Sequence, residues 1–136
     1  EAELGVVYTE KEVLLRTADF VVLTVPMTPA TRHLIGRTEL QMMKPTAVLV
    51  NVARGGVVDH DALLEALQNG WIYAAAVDVT EPEPLPRNHP LLQQTNLVIT
   101  PHLGSATQQT RRRMGQLSVD NLLAGLRGEP LLKRVV

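Results

Sequence analysis

Three kinds of ionisable residue that could act together on one small molecule stand at the ends of successive apolar runs. Arg54 follows "AVLVNV", Asp78 closes "YAAAVDV" with Glu83 just beyond it, and His102 follows "NLVITP". A guanidinium, a carboxylate and an imidazole suit the reduction of a 2-oxo acid. The planar fork of arginine grips a carboxylate through two parallel hydrogen bonds. Histidine titrates near neutrality, so it can give a proton to the carbonyl oxygen, and a neighbouring carboxylate favours its charged form. Taken singly, each residue has a plainer reading: a surface charge for Arg54, a solvated loop carboxylate for Glu83 and a turn residue for His102. Their coincidence at successive run ends favours the chemical reading, because open α/β sheets bind ligands beyond the carboxyl ends of their strands. Gly55 and Gly56 are expected to let backbone approach a ligand and to take positive φ. His33, His60 and His89 show no such company and read as structural, and Asp59 reads as a helix cap.

The elements that would position these groups alternate along the chain. "FVVLTV" (20–25), "AVLVNV" (47–52), "YAAAVDV" (73–79) and "NLVIT" (96–100) are short and apolar, as in strands buried on both faces of a parallel sheet. Helical stretches lie between them. "TEKEVLLRTA" opens with Thr9 and has Glu12 three residues on, a capping-box pattern. "RTELQMM" should stop before Lys44 and Pro45. "DHDALLEALQNG" has Asp59 as N-cap, Leu63, Leu64 and Leu67 on one face and Gly70 as its stop. The proline-rich stretch 80–92 should be a surface loop. Residues 107 to about 127 read as one long helix with Met114, Leu117, Leu122 and Leu126 near one stripe. Alternation of this kind predicts right-handed crossovers and a doubly wound α/β sheet.

Bulk properties exclude other classes. The chain has 136 residues, 45% of them hydrophobic and 20% charged, enough for one modest domain with a core. Thirteen basic against fourteen acidic residues argue against nucleic acid as a partner, and the arginines at 111–113 read as a solvated helix face. With no cysteine there is neither a disulfide framework nor a thiolate metal site, which fits a reducing, cytoplasmic setting. No apolar run approaches the roughly 20 residues that span a bilayer, so no membrane partner is expected. There is no initiator methionine, and structured-looking sequence begins almost at once. The chain therefore reads as the later part of a longer protein.

With these residues in view, the chain resembles the D-isomer-specific 2-hydroxyacid dehydrogenases. The matching segments are "VVLTVPMTPATRHLI", "MKPTAVLVNVARGGVVDHDALLEAL", "AAAVDVTEPEPLP" and "NLVITPHLGSAT", in the family's order along nearly the whole chain. "HPLL" before "NLVITPHLGSAT" and the ending "NLLAGLRGEP" look most like glyoxylate/hydroxypyruvate reductases. The resemblance implies a Rossmann-like doubly wound parallel sheet with a long C-terminal helix. Residues 1–104 would be the C-terminal part of the NAD(P)-binding domain, and 105–136 a helix and tail that return to the substrate domain. It implies Arg54 as the clamp on the substrate carboxylate, His102 as the acid/base and Glu83 as its acidic partner, leaving Glu81 as the decoy of "EPEP". Val25, Pro26, Val52, Ala53, Asp78 and Gly104 would lie around the nicotinamide of NAD or NADP. A buried carboxylate capping local backbone donors is an equal reading of Asp78.

The family's G-x-G-x-x-G pyrophosphate turn and its ribose-selecting residue are not in this sequence, and "ARGGVVD" is no substitute for them. The chain alone is accordingly expected to hold cofactor poorly and to turn over little. An apolar stripe exposed on the last helix is expected as well. The implied activity is NAD(P)-dependent reduction of a small 2-oxo acid, glyoxylate or hydroxypyruvate, by what is a homodimer in the full-length family members. Two alternatives remain open: an NAD-binding, corepressor-like partner module, and an inactive truncated product.

Overall fold

A computed structural model describes residues 2–133; residues 1 and 134–136, the outermost of the two expected segments, lie outside the described residues. It divides into two compact units, Glu1–Pro101 and His102–Val136.

The first unit is an α/β layer. After helix α1 (Lys11–Thr17) come strand β1 (Phe20–Leu23), helix α2 (Arg37–Met42), strand β2 (Val48–Asn51), helix α3 (His60–Gln68), strand β3 (Ala74–Val77) and strand β4 (Leu97–Ile99). The four strands are parallel and lie in chain order. Right-handed crossovers that keep stepping in one direction put their helices on one face. Accordingly α1 packs on α2 and α2 on α3. Leu15, Leu40, Leu63 and Leu67 of these helices share one core with Val21, Leu23, Leu49, Ala75 and Val77 of the sheet. Each fully buried leucine contributes about 1.5–3 kcal/mol of transfer free energy.

Burial alternates along the strands, which corrects the expectation of burial on both faces. Val21 and Leu23 are covered, whereas Phe20 and Val22 are 71% and 56% exposed. Register carries that open face across the sheet through the row Val22, Val50, Ala76 and Val98. Within this unit one winding of a doubly wound sheet is present, and continuous apolar strands read alike whether one face or two are covered.

The helix ends follow local chemistry. Asp59 Oδ1 accepts the amides of Asp61 and Ala62 at 3.0 and 3.1 Å, capping α3 as its sequence predicts. At the other end Gly70 has φ +66° and the Trp71 amide reaches back to the Ala66 carbonyl at 2.9 Å, a Schellman stop. A methyl group at Gly70 would meet no atom within 4 Å, so its cost is purely conformational. Gly70→Ala should therefore destabilise the chain by about 1 kcal/mol, read as a lower urea midpoint at unchanged slope. Thr9 does not cap α1, whose N-cap is Glu10 without a side-chain cap bond. The stretch 80–92 is less superficial than its prolines suggest, because Thr80 and Leu91 are buried.

The second unit holds helix α4 (Gln108–Leu126), capped by Thr107, whose hydroxyl accepts the Thr110 amide at 3.1 Å. Met114, Leu117, Leu122 and Leu126 are all exposed, as expected for the stripe. The carboxamide of Asn121 ties the backbone of Lys133 back to the helix through two hydrogen bonds.

Candidate functional site

The carboxyl ends of β1 and β2 open into a cleft of about 530 Å³ lined by Thr24, Val25, Pro26, Met27, Val52, Ala53 and Arg54. Parallel pairing brings these ends together, since Leu23 is opposite Asn51 and the Val52 amide bonds the Leu23 carbonyl at 3.3 Å. The loop after β1 is shaped by Thr31, whose hydroxyl donates to the Pro26 carbonyl at 2.7 Å and accepts the Thr28 amide at 2.8 Å. Five residues expected from the sequence thus share one cavity: Val25, Pro26, Val52, Ala53 and Arg54.

Asn51 makes the bend that delivers Arg54. It is fully buried, its Oδ1 accepts the Ala53 amide at 3.0 Å, and its Nδ2 donates to the Arg54 carbonyl at 2.9 Å. A carboxamide can donate and accept at once, so it closes both backbone groups of the turn. Its signal in the sequence is an amide side chain at the end of an otherwise apolar run. Arg54 itself is exposed, with Nη1 donating to the Ala53 carbonyl at 2.7 Å.

The glycines after Arg54 serve differently from the expectation. Among the described residues the positive-φ glycines are Gly5, Gly70 and Gly128, and neither Gly55 nor Gly56 is one of them. What Gly55 permits is contact with protein backbone. A Cβ there would lie 2.1 Å from both the carbonyl carbon and oxygen of Thr80. The turn that carries Arg54 is thereby seated directly on the loop that carries Glu83.

Within that loop Glu83 Oε2 accepts the Thr80 amide at 3.3 Å, and the Thr80 hydroxyl donates to the Pro82 carbonyl at 2.9 Å. Glu81 is not a bystander. Its carboxylate pairs with Arg32 at 2.9 Å, and its carbonyl oxygen is 3.1 Å from His60 Nδ1. The hydrogen bond and charge of Arg32 hold the Glu81 carboxyl below its ordinary range. Asp78 sits at the end of β3, where its carboxylate accepts the Thr100 hydroxyl and its amide bonds the Asn51 carbonyl at 2.9 Å. It does not line the cleft. His102 and Gly104 belong to the second unit, and His102 has φ +56°.

The histidines read as structural are grouped by the fold. A neighbouring cavity of about 170 Å³ is lined by His33, Val58, Asp59, His60, Asp61, Glu81 and His89. His60 is buried, and its ring meets that of His89 edge-on with centroids 6.5 Å apart. Because a carbonyl can only accept, the proton sits on His60 Nδ1, leaving Nε2 buried without a partner among the described residues. Burial lowers the His60 pKa from 6.5, and the nearby His89 lowers it further against the opposing pull of Glu81 and Asp59. A base with a depressed folded pKa contributes stability that is fully present above pH 6.5 and is lost as pH falls toward the depressed value. The urea midpoint should therefore fall between about pH 7 and pH 5, and His60→Gln should flatten that interval. Among the described residues no group of three or more histidine, cysteine or acidic side chains is placed to hold a metal ion.

Comparison with known proteins supplies the remaining evidence. The model of the D-isomer specific 2-hydroxyacid dehydrogenase NAD binding domain matches residues 1–104. A glyoxylate reductase of Aeropyrum pernix is 51% identical over 129 residues, which are 95% of this chain and 38% of that protein. The human glyoxylate reductase/hydroxypyruvate reductase is 51% identical over 130 residues, 96% of this chain and 40% of that protein. A crystal structure of a Thermus thermophilus protein superposes with a TM-score of 0.90 at 50% identity, covering 94% of this chain and 41% of that one. The chain thus spans about two fifths of the length of the curated relatives it matches.

Proposed function

The chain belongs to the D-isomer specific 2-hydroxyacid dehydrogenases, and from that premise we propose that it forms part of an NAD(P)-dependent oxidoreductase that reduces glyoxylate or hydroxypyruvate to the 2-hydroxy acid. The observation that carries this reading is the cleft at the carboxyl ends of β1 and β2, which brings Thr24, Val25, Pro26, Met27, Val52 and Ala53 together with Arg54. Small apolar side chains interleaved with backbone polar groups and one arginine fit a flat nicotinamide ring beside a small carboxylate. Val25, Pro26, Val52 and Ala53 would hold the nicotinamide, with Asp78 and Gly104 around it. A reduced nicotinamide held there would supply hydride for the ketone carbon. Arg54 grips the substrate carboxylate through two parallel hydrogen bonds. His102 gives its proton to the ketone oxygen as that oxygen gains charge, and Glu83 keeps the imidazole oriented.

On this reading residues 1–104 are the C-terminal part of the NAD(P)-binding domain, and 105–136 a helix and tail returning to a substrate domain. NADP as an alternative to NAD, a homodimeric assembly and a cytoplasmic setting are carried by the family resemblance. None of the described helices is long and apolar enough to cross a membrane.

The test is a chimera in which this chain replaces the matching 130 residues of the human relative. Glyoxylate or hydroxypyruvate should deplete the absorbance of added NADPH or NADH. A folded chimera that binds the cofactor and reduces neither acid would overturn the reading and favour a binding module instead.

A further inference from the structure

Glu81, set aside by the sequence pattern as the decoy of "EPEP", is bonded to two other parts of the chain. Its carboxylate pairs with Arg32 at 2.9 Å, its carbonyl receives His60, and its Oε2 would lie 2.7 Å from a Cβ placed on Gly56. The two bonds come from the loop after β1 and the first turn of α3, and the side chain also lies close against Gly56 in the turn after β2. They converge one residue from Thr80, whose amide is donated to the Glu83 carboxylate. Thr80 is buried, and its carbonyl lies against Gly55, the neighbour of Arg54.

We propose that Arg32, Glu81 and His60 form a clamp that positions the Glu83 carboxylate, so that Glu81 is a positioning residue for the reaction read above. This inference rests on that reading in giving Glu83 a role, while the clamp itself is a property of this chain. Four consecutive residues of the loop divide the work. Thr80 presents its amide to Glu83 and its hydroxyl to the Pro82 carbonyl, Glu81 fastens the loop, and Glu83 receives the orientation. The ionisable groups around the clamp are His33, Asp59, Asp61 and His89, which line the same small cavity as His60 and Glu81. His33 Nδ1 is 3.8 Å from Asp59 Oδ2.

Two measurements test it. In the chain itself, Arg32→Met and Glu81→Gln should speed hydrogen exchange at the Thr80 amide by roughly fivefold, the loosening expected for a partly exposed ion pair. Exchange at Val50, in the middle of β2, should stay unchanged. Arg32→Lys, which keeps the charge, should recover most of the protection. In the chimera, Arg32→Met and Glu81→Gln should lower kcat more than they raise KM for the reduced cofactor. They should also move the alkaline limb of the kcat pH profile to lower pH, the direction expected of Glu83→Gln. That sign follows because a proton donor that loses its carboxylate partner gives up its proton at lower pH.

A fall in kcat with an unmoved limb would show a merely structural role and overturn the proposal, as would unchanged exchange at Thr80. If Glu83→Gln itself left the limb in place while the clamp variants freed the Thr80 amide, the clamp would stand and the role given to Glu83 would fail. Should Arg32→Met not fold, Glu81→Gln carries both readouts, since it removes the charge and keeps the size.

Discussion

Replacing Gly55 with alanine is expected to cost about 3 kcal/mol of stability. The added methyl would lie 2.1 Å from the carbonyl carbon and oxygen of Thr80 and 2.6 Å from the Glu81 nitrogen. All three are backbone atoms, so no side chain can swing aside. Relief requires the turn at 54–57 to lift from the loop at 80–83, and that moves Arg54 away from the loop that carries Glu83. Gly56→Ala is the control. Its nearest atoms are Glu81 Oε2 and Met27 Cε, each at 2.7 Å, and both end flexible side chains. That variant should cost only about 1 kcal/mol, mostly by disturbing the pair between Arg32 and Glu81. Urea unfolding of both variants decides the matter. Equal midpoints would mean that the turn and the loop are not seated on each other as described.

His102→Ala in the chimera should reduce kcat for hydroxypyruvate by about 10²–10⁴-fold, the usual range for loss of a general acid. Binding of NADPH, measured calorimetrically, should hardly change, because the histidine acts only as the ketone oxygen gains charge. Arg54→Ala should behave differently. One charge-assisted pair is worth roughly 1.5–3 kcal/mol, which converts to about 10- to 150-fold in kcat/KM, taken mainly as a higher KM for the oxo acid. Arg54 is exposed and tied only to its neighbour's carbonyl in the described contacts, so its removal should leave the urea midpoint nearly unmoved. Full hydroxypyruvate reduction by His102→Ala would end the assignment of the acid. A large stability loss in Arg54→Ala would instead make that residue structural.

Much of this was legible beforehand. All four strands, the cap at Asp59, the stop at Gly70 and the long last helix follow from periodicity and terminal chemistry, which are local properties. The grouping of Val25, Pro26, Val52, Ala53 and Arg54 was legible too, because parallel strands place their carboxyl ends side by side. What escaped is mostly tertiary. Arg32 and His60 act through partners 49 and 21 residues away that only the packed chain brings near, whereas Asn51 acts locally, on groups two and three residues on. The role of Glu81 depends on an arginine in a different loop, and pattern alone ranked it below Glu83. The reason for Gly55 was likewise tertiary, the approach of Thr80, where local thinking supplied a backbone angle. Strand composition did not separate one covered face from two, since valine and alanine suit either.

The two halves of this site are fastened by different kinds of force, and the buried carboxamide of Asn51 marks the boundary. It is uncharged, so the bend that aims Arg54 neither titrates nor feels added salt. The pair between Arg32 and Glu81 is 51% and 43% exposed and rests on full charges, which dissolved ions screen within about 10 Å at 0.1 M. As ionic strength rises, the carboxylate-bearing loop should slacken while the arginine turn keeps its shape. Brine would thus act on this protein as a selective solvent, loosening the loop of Glu83 before the turn of Arg54.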